Sequence, residues 1–215
     1  MDAVCFDMDG VLVDSEDYWV PYEEDDLYPQ IGLPDLDAAE ITGMNYRDIY
    51  DYLDETYGVE MERAAFLAWF ETTAETIYGE DVALLPGAHD LLAALSDRGV
   101  AVAIVSSSPP EWIDIVRERF DLSVDAVISA DTLDGPGKPE PAVYEHAARE
   151  LGVDPTDAVA VEDSGHGIES ARRAGMSVVG FRHGATDDTD RSEADFVADT
   201  PEALRSYLLD RAGGG

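Results

Sequence analysis

The 215-residue chain has one cysteine, Cys5, and one lysine, Lys138. A lone cysteine excludes an intramolecular disulfide and any multi-cysteine metal site. Cys5 lies inside the apolar run Val4-Cys5-Phe6 and is expected as a small buried strand residue. Positive charge is scarce throughout: 13 lysines and arginines stand against 48 aspartates and glutamates, a formal net charge of −35. Such a surface repels nucleic-acid phosphates and anionic headgroups, which argues against nucleic acid and membrane as partners. Long hydrophobic runs are also missing. The longest, 64–70, is far short of the roughly 20 residues of a spanning helix. The start Met1-Asp2-Ala3-Val4 has no basic segment followed by an apolar stretch, so no signal peptide is expected and the protein is read as cytoplasmic.

What is present suffices for a packed domain. Hydrophobic residues make up 45% of the chain and aromatics 9%, so the high charge does not imply disorder. The acids are dispersed along the chain rather than gathered in a tail. Dispersed acid with twelve arginines and one lysine suits a cytosol at molar salt, where the Debye length falls to about 3 Å and self-repulsion is screened. The composition is therefore read as halophilic.

Short β-type runs alternate with amphipathic helical patterns. Strands are expected at 4–6, 100–105, 158–161 and 178–181, with an edge strand near 194–197. Helices are expected at 88–98, 111–120, 142–151, 165–174 and 201–211, with Gly99, Gly152 and Gly175 where C-caps belong. This alternation predicts an α/β fold, a doubly wound parallel sheet. Residues 15–82 break the rhythm with helical patterns at 38–41, 46–57 and 61–78 and no convincing strand. They are too many for one crossover and are read as an inserted α-helical domain, with 1–14 and 83–215 forming the α/β core. Pro86-Gly87 is read as a hinge or turn, 187–190 as a solvated loop and 213–215 as a frayed tail.

In open α/β sheets ligands bind outside the carboxyl ends of the strands. There the sequence offers Asp7-Met8-Asp9-Gly10, Ser106-Ser107-Ser108 and Glu162-Asp163-Ser164, with Gly137-Lys138-Pro139 ahead of the helix that leads to the last of these strands. Carboxylates gathered this closely need a cation among them. Hard oxygen donors suit Mg²⁺, which keeps waters and a substrate phosphate, while a serine hydroxyl and backbone N–H groups suit phosphate oxygens. Lys138 offsets charge that builds on a phosphoryl group in transfer.

The stretch Asp7-Met8-Asp9-Gly10-Val11-Leu12-Val13-Asp14-Ser15 resembles the first motif of the haloacid dehalogenase superfamily. Ser106, Lys138 and Glu162-Asp163 resemble its second, third and fourth motifs, in order and on matching elements. The likeness extends over essentially the whole chain and implies a helical cap inserted after the first motif. It also implies roles. Asp7 would be the nucleophile that forms an aspartyl-phosphate, and Asp9 the acid, then base, of the two half-reactions. Ser106, Ser107 and Lys138 would hold the phosphoryl group. Mg²⁺ would be bound by the Asp7 carboxylate, the Asp9 carbonyl and Asp163, with Glu162 direct or through water. The cap segment Gly43-Met44-Asn45-Tyr46-Arg47 resembles a substrate-contacting loop, in which Arg47 would pair with a carboxylate or second phosphate and Asn45 and Tyr46 would meet hydroxyls. Ser108 has a helix N-cap as its other reading, and Asp163 could serve as both N-cap and ligand. Asp14 is read as structural near the cap hinge, and His166 as a solvent or packing residue. His89, His146 and His183 are scattered and define no metal cluster.

The resemblance also discriminates among reactions. Asp9 is present, which argues against halide chemistry. The single lysine leaves none for a Schiff base in the cap, which excludes the phosphonatase mechanism. Trp19 stands near where similar sugar phosphomutases carry a histidine. The expected function is Mg²⁺-dependent hydrolysis of small phosphomonoesters of metabolites. A sugar phosphomutase of the β-phosphoglucomutase type is the alternative, and a non-catalytic binding protein on the same fold is the alternative from another class. The oligomeric state stays open.

Overall fold

The computed structural model describes residues 1–182, 184 and 189–212. His183, Asp187, Asp188 and the 213–215 tail, read from sequence above, lie outside the described residues. Six parallel strands form one sheet in the order β3-β2-β1-β4-β5-β6: β1 (Ala3–Phe6), β2 (Ala101–Ser106), β3 (Ala126–Ser129), β4 (Ala158–Glu162), β5 (Ser177–Phe181) and β6 (Phe196–Ala198). β1, β2, β4 and β5 are buried on both faces, which is why their sequences are continuous apolar runs rather than alternating ones. Helices α5 (Ala88–Ser96), α6 (Pro110–Arg119), α7 (Ala142–Leu151), α8 (Gly165–Arg173) and α9 (Pro201–Ala212) cover the sheet. The sheet is the doubly wound architecture that the alternation predicts. β3, Ala-Val-Ile-Ser at the sheet edge, is an addition to it.

β1 sits at the centre, and the strand order reverses direction between it and β4. Phe6 pairs with Ile104 on one side and Val161 on the other. Continuing that register sets Asp7 beside Val105 and Glu162, and the Asp7 amide donates to the Val161 carbonyl at 2.9 Å. Residues that follow three different strands therefore meet at the switch point, where ligands bind in such sheets. Cys5 is buried in the middle of β1, and burial pushes its thiol up to about 12, which leaves it unreactive.

Between β1 and β2 the chain is helical. It forms α1 (Glu16–Tyr22), continued by a π-type turn over Glu23–Leu27 and the short α2 (Tyr28–Gln30), then α3 (Tyr46–Thr56) and α4 (Arg63–Thr76), with a second π-type turn at Ile77–Asp81. The segments entering and leaving this insert run side by side. Leu85 N–H donates to Leu12 C=O, Asp14 N–H to Ala83 C=O, and the Asp14 carboxylate accepts from the Ala83 amide at 2.6 Å. Asp14 thus ties the two segments together. The helical insert packs on the sheet through one continuous apolar cluster that runs from Phe6 and Ile104 to Trp19, Phe66 and Phe70. No described helix is long and apolar enough to cross a membrane.

Candidate active site

The carboxyl end of the sheet gathers Asp7, Asp9, Ser106, Ser107, Ser108, Lys138, Glu162 and Asp163, and most of their side chains are buried. Lys138 is the centre. Its ammonium donates to Asp7 Oδ1 at 2.7 Å and to Glu162 Oε1 at 2.6 Å, and its side chain is 1% exposed. Burial works against this charge, and the facing carboxylates of Asp7 and Glu162 outweigh it, so the ammonium is held above its ordinary pKa. Burial drives the Asp7 carboxyl well above its usual range, with Lys138 opposing and Glu162, Asp163 and Asp9 adding to the rise. Tyr144 closes the chain by donating its hydroxyl to Glu162 Oε1.

Asp9 is fixed by four hydroxyls. Ser15 and Tyr78 donate to Oδ1 at 2.7 and 2.6 Å; Ser108 and Ser106 donate to Oδ2 at 2.8 and 3.3 Å. Ser106 Oγ also accepts from the Ser108 amide at 2.9 Å. Of the two readings of Ser108, the side chain takes the one that faces Asp9: α6 begins at Pro110 without a side-chain cap bond. Asp163 does not cap α8. Ser164 does, accepting from the Gly167 amide.

That leaves Asp163 free to face a cation. Its Oδ2 is buried and has no hydrogen-bond partner among the described residues, a costly state for a carboxylate oxygen unless a cation meets it. Burial first and Glu162 second push its pKa up to about 7, against Lys138 and Arg191. Oxygens of Asp7, Glu162 and Asp163 lie within 4.8 Å of one another. Gly10, at φ +68°, makes the approach possible: a Cβ there would stand 1.9 Å from Asp163 Oδ2. Hard oxygen donors and an orphaned carboxylate oxygen fit a small divalent cation. Glu162 offers the least to it, because Lys138 and Tyr144 take Oε1 and Ser164 donates to Oε2 at 3.3 Å.

Over these residues lies a cavity lined from the core by Asp7, Asp9, Ser107, Ser108, Trp112 and Asp163 and from the insert by Glu16, Trp19, Glu23, Tyr46 and Tyr78, among others. The loop read as substrate-contacting divides. Tyr46 lines the cavity. The Asn45 amide instead donates to Ser107 C=O at 2.8 Å and to Asp131, and Arg47 pairs with Asp131. With Ser107 Oγ donating to Gly43 C=O, and His166 Nδ1 at 3.1 Å from Thr42 C=O, these contacts latch the insert to the core. Gly43, at φ +84°, permits it, since a Cβ would reach Ser164 Oγ at 2.4 Å.

Tyr78, Glu23 and Tyr144 have no precedent in the sequence reading, and Ser15 stands there in the first motif without a role. Tyr78 lies 69 residues from the aspartate it holds, so no local motif announces it; a Ser directly after the Asp14 of the first motif is the one signal that Ser15 carries.

Comparison with known proteins identifies the family. Residues 1–175 match the model of the haloacid dehalogenase-like hydrolases. Hexitol phosphatase B of Escherichia coli K12 is 33% identical over 180 residues, spanning 81% of this chain and 80% of that one. β-Phosphoglucomutase of Bacillus subtilis is 30% identical over 199 residues, 86% of this chain and 84% of that one. Among solved structures, a conserved haloacid dehalogenase-like protein of Agrobacterium tumefaciens superposes with a TM-score of 0.75 at 29% identity, covering 99% of both chains. The chain belongs to the haloacid dehalogenase-like hydrolases, and it is an enzyme of the phosphatase type within them.

Proposed function

We propose that this enzyme is a Mg²⁺-dependent phosphatase of small phosphorylated sugars or polyols, working through an aspartyl-phosphate on Asp7. The observation that carries the reading is the buried ion chain Asp7–Lys138–Glu162 standing beside an Asp9 held by four hydroxyls. Asp7 attacks the phosphorus, and the bond to the ester oxygen breaks. Asp9 as its acid protonates that oxygen, so the leaving group departs as a neutral alcohol. Asp9 as carboxylate then takes a proton from water, whose oxygen attacks phosphorus and releases Asp7 and inorganic phosphate. Lys138, Ser106 and the Ser107 backbone N–H hold the phosphoryl oxygens. Asp7, Asp163 and the Asp9 carbonyl would hold Mg²⁺, with Glu162 steering Lys138 or a bound water, and the ion would neutralise phosphoryl charge. The helical insert, 15–82, acts as a cap that excludes water from the first step.

Water as final acceptor is favoured over a second sugar phosphate, because a mutase must bind two phosphates and no Lys, Arg or His lines the cavity among the described residues. The relative named hexitol phosphatase supports a polyol phosphate as substrate. The setting is a cytoplasm of high ionic strength, to which a net charge of −35 is suited. The test is Asp7→Asn with Mg²⁺ present, assayed by phosphate release. Loss of activity with an intact fold is expected; activity retained above a few per cent would favour direct attack by water. Phosphorus NMR with β-glucose 1-phosphate should show phosphate release equal to substrate loss without a bisphosphate activator. Glucose 6-phosphate accumulating only with the bisphosphate present would transfer the assignment to the mutase.

A further inference from the structure

The cavity over Asp7 and Asp9 has two properties that bear on what leaves with the ester oxygen. Its upper walls are aromatic: Trp19 lies 5.3 Å from Phe70 and 5.8 Å from Trp112, and Tyr46 5.6 and 5.0 Å from the same rings. Among the described residues its charged side chains are all acidic, Glu16 and Glu23 beside the aspartates. The cation that the sequence offers for a substrate carboxylate, Arg47, is turned to Asp131. An anionic leaving group would therefore meet carboxyls and, among the described lining residues, no counter-charge.

Most polar groups in these walls are spent inside the protein. Tyr78 donates to Asp9, Trp19 Nε1 to Tyr78, Thr42 to Ala38 C=O, and Ser107 and Ser108 to Gly43 and Asp9. Glu16 faces the Asp163 side, where its γ-carbon closes over Gly10. Glu23 differs. It is 6% exposed, Tyr28 donates to its Oε2 at 3.0 Å, and no hydrogen bond reaches its Oε1 among the described residues. A fixed carboxyl that lines a cavity with one oxygen unbonded is a recognition group for a hydroxyl.

We propose that Glu23, held by Tyr28, determines substrate specificity by hydrogen-bonding a hydroxyl of an uncharged leaving group, so that the enzyme accepts polyol and sugar esters and rejects esters carrying a second anion. The inference rests on the phosphatase reading and assigns the residue that recognises the leaving group. Burial, partly offset by the Tyr28 hydroxyl and reinforced by Glu24, pushes the Glu23 carboxyl up to about 8. As an acid at neutral pH it both donates to and accepts from a hydroxyl.

The test compares kcat/KM for glucitol 6-phosphate, ethyl phosphate and phosphoglycolate, with Mg²⁺ at high salt, in the wild-type chain, Glu23→Met and Glu23→Gln. Both variants keep the side-chain volume, and ratios between esters on one preparation do not depend on its folded fraction. Glu23→Met should lose about 10–100-fold on glucitol 6-phosphate, the worth of one buried hydrogen bond, and stay within about threefold on ethyl phosphate, which has no hydroxyl to read. Glu23→Gln, which keeps a donor and an acceptor, should retain glucitol 6-phosphate within about threefold. Wild type should prefer glucitol 6-phosphate to phosphoglycolate by at least about 100-fold. Equal losses on glucitol and ethyl phosphate, or a wild type that hydrolyses phosphoglycolate as well as glucitol 6-phosphate, overturn the role of Glu23 and leave the phosphatase intact. A folded wild type that hydrolyses none of the three overturns both.

Discussion

Replacing Lys138 by methionine removes a buried charge and changes side-chain volume little. Its ammonium is the counter-charge of Asp7 and Glu162 at 2.7 and 2.6 Å, and the Glu162 side chain is fully buried. Deleting one partner of a buried ion pair costs about 3–5 kcal/mol, because the other partner stays desolvated and unpaired. For a domain of this size each kcal/mol lowers Tm by about 2–4 °C, so Lys138→Met should melt about 6–20 °C below wild type. The loss depends on pH with a definite sign. Burial already holds Asp7 above its ordinary range, and without Lys138 it rises further. Between the unfolded and folded values the native state binds the extra proton, so stability falls as pH rises. The deficit of the variant should be small near about pH 3, below the unfolded carboxyl values of about 3.9 and 4.3, where the carboxyls are mostly protonated in both states, and fully developed near about pH 8. Urea and thermal unfolding in EDTA at high salt measure it without a metal in the balance. Adding Glu162→Gln should recover at least about 1 kcal/mol of the loss, since it removes one of the stranded charges. A single variant within about 1 kcal/mol of wild type at the higher pH would refute the reasoning, because the carboxylates would then have another source of neutralisation.

Gly10→Ala should raise the Mg²⁺ concentration for half-activation at least about tenfold, because its Cβ would displace the Asp163 carboxylate; an unchanged value would remove Asp163 from the metal site. Tyr78→Phe should lower kcat about tenfold on alkyl phosphates, whose leaving oxygen needs the Asp9 proton, and much less on p-nitrophenyl phosphate, which does not; equal losses on both would make Tyr78 structural only. Melting temperature should rise between about 0.1 and about 2 M KCl at fixed Mg²⁺, as the Debye length falls from about 10 to about 2 Å; equal values would sink the halophilic reading.

The sheet was legible because its central strands are buried on both faces and so read as unbroken apolar runs. β3 was not, since it is four residues long with two of them half exposed, and Ala126-Val127-Ile128 carries no alternation to separate it from a loop. The insert read as helical from composition and period. Its two π-type turns did not, because a one-residue change of helical pitch leaves no mark in hydropathy.

By itself the sequence determined the α/β sheet, the helical insert and the acidic, lysine-bearing set at the strand ends, because each rests on local order: periodicity along an element, or spacing within a motif. Tertiary structure decided the rest. That Ser15, Ser108 and Tyr78 converge on Asp9, that Arg47 turns to Asp131 rather than to the cavity, and that Glu23 among 48 acids lines it with Tyr28 on one oxygen, all depend on how the insert packs against the sheet. Packing brings together residues separated by tens of positions, and a hydrogen bond formed at such separation has no periodicity for the sequence to display.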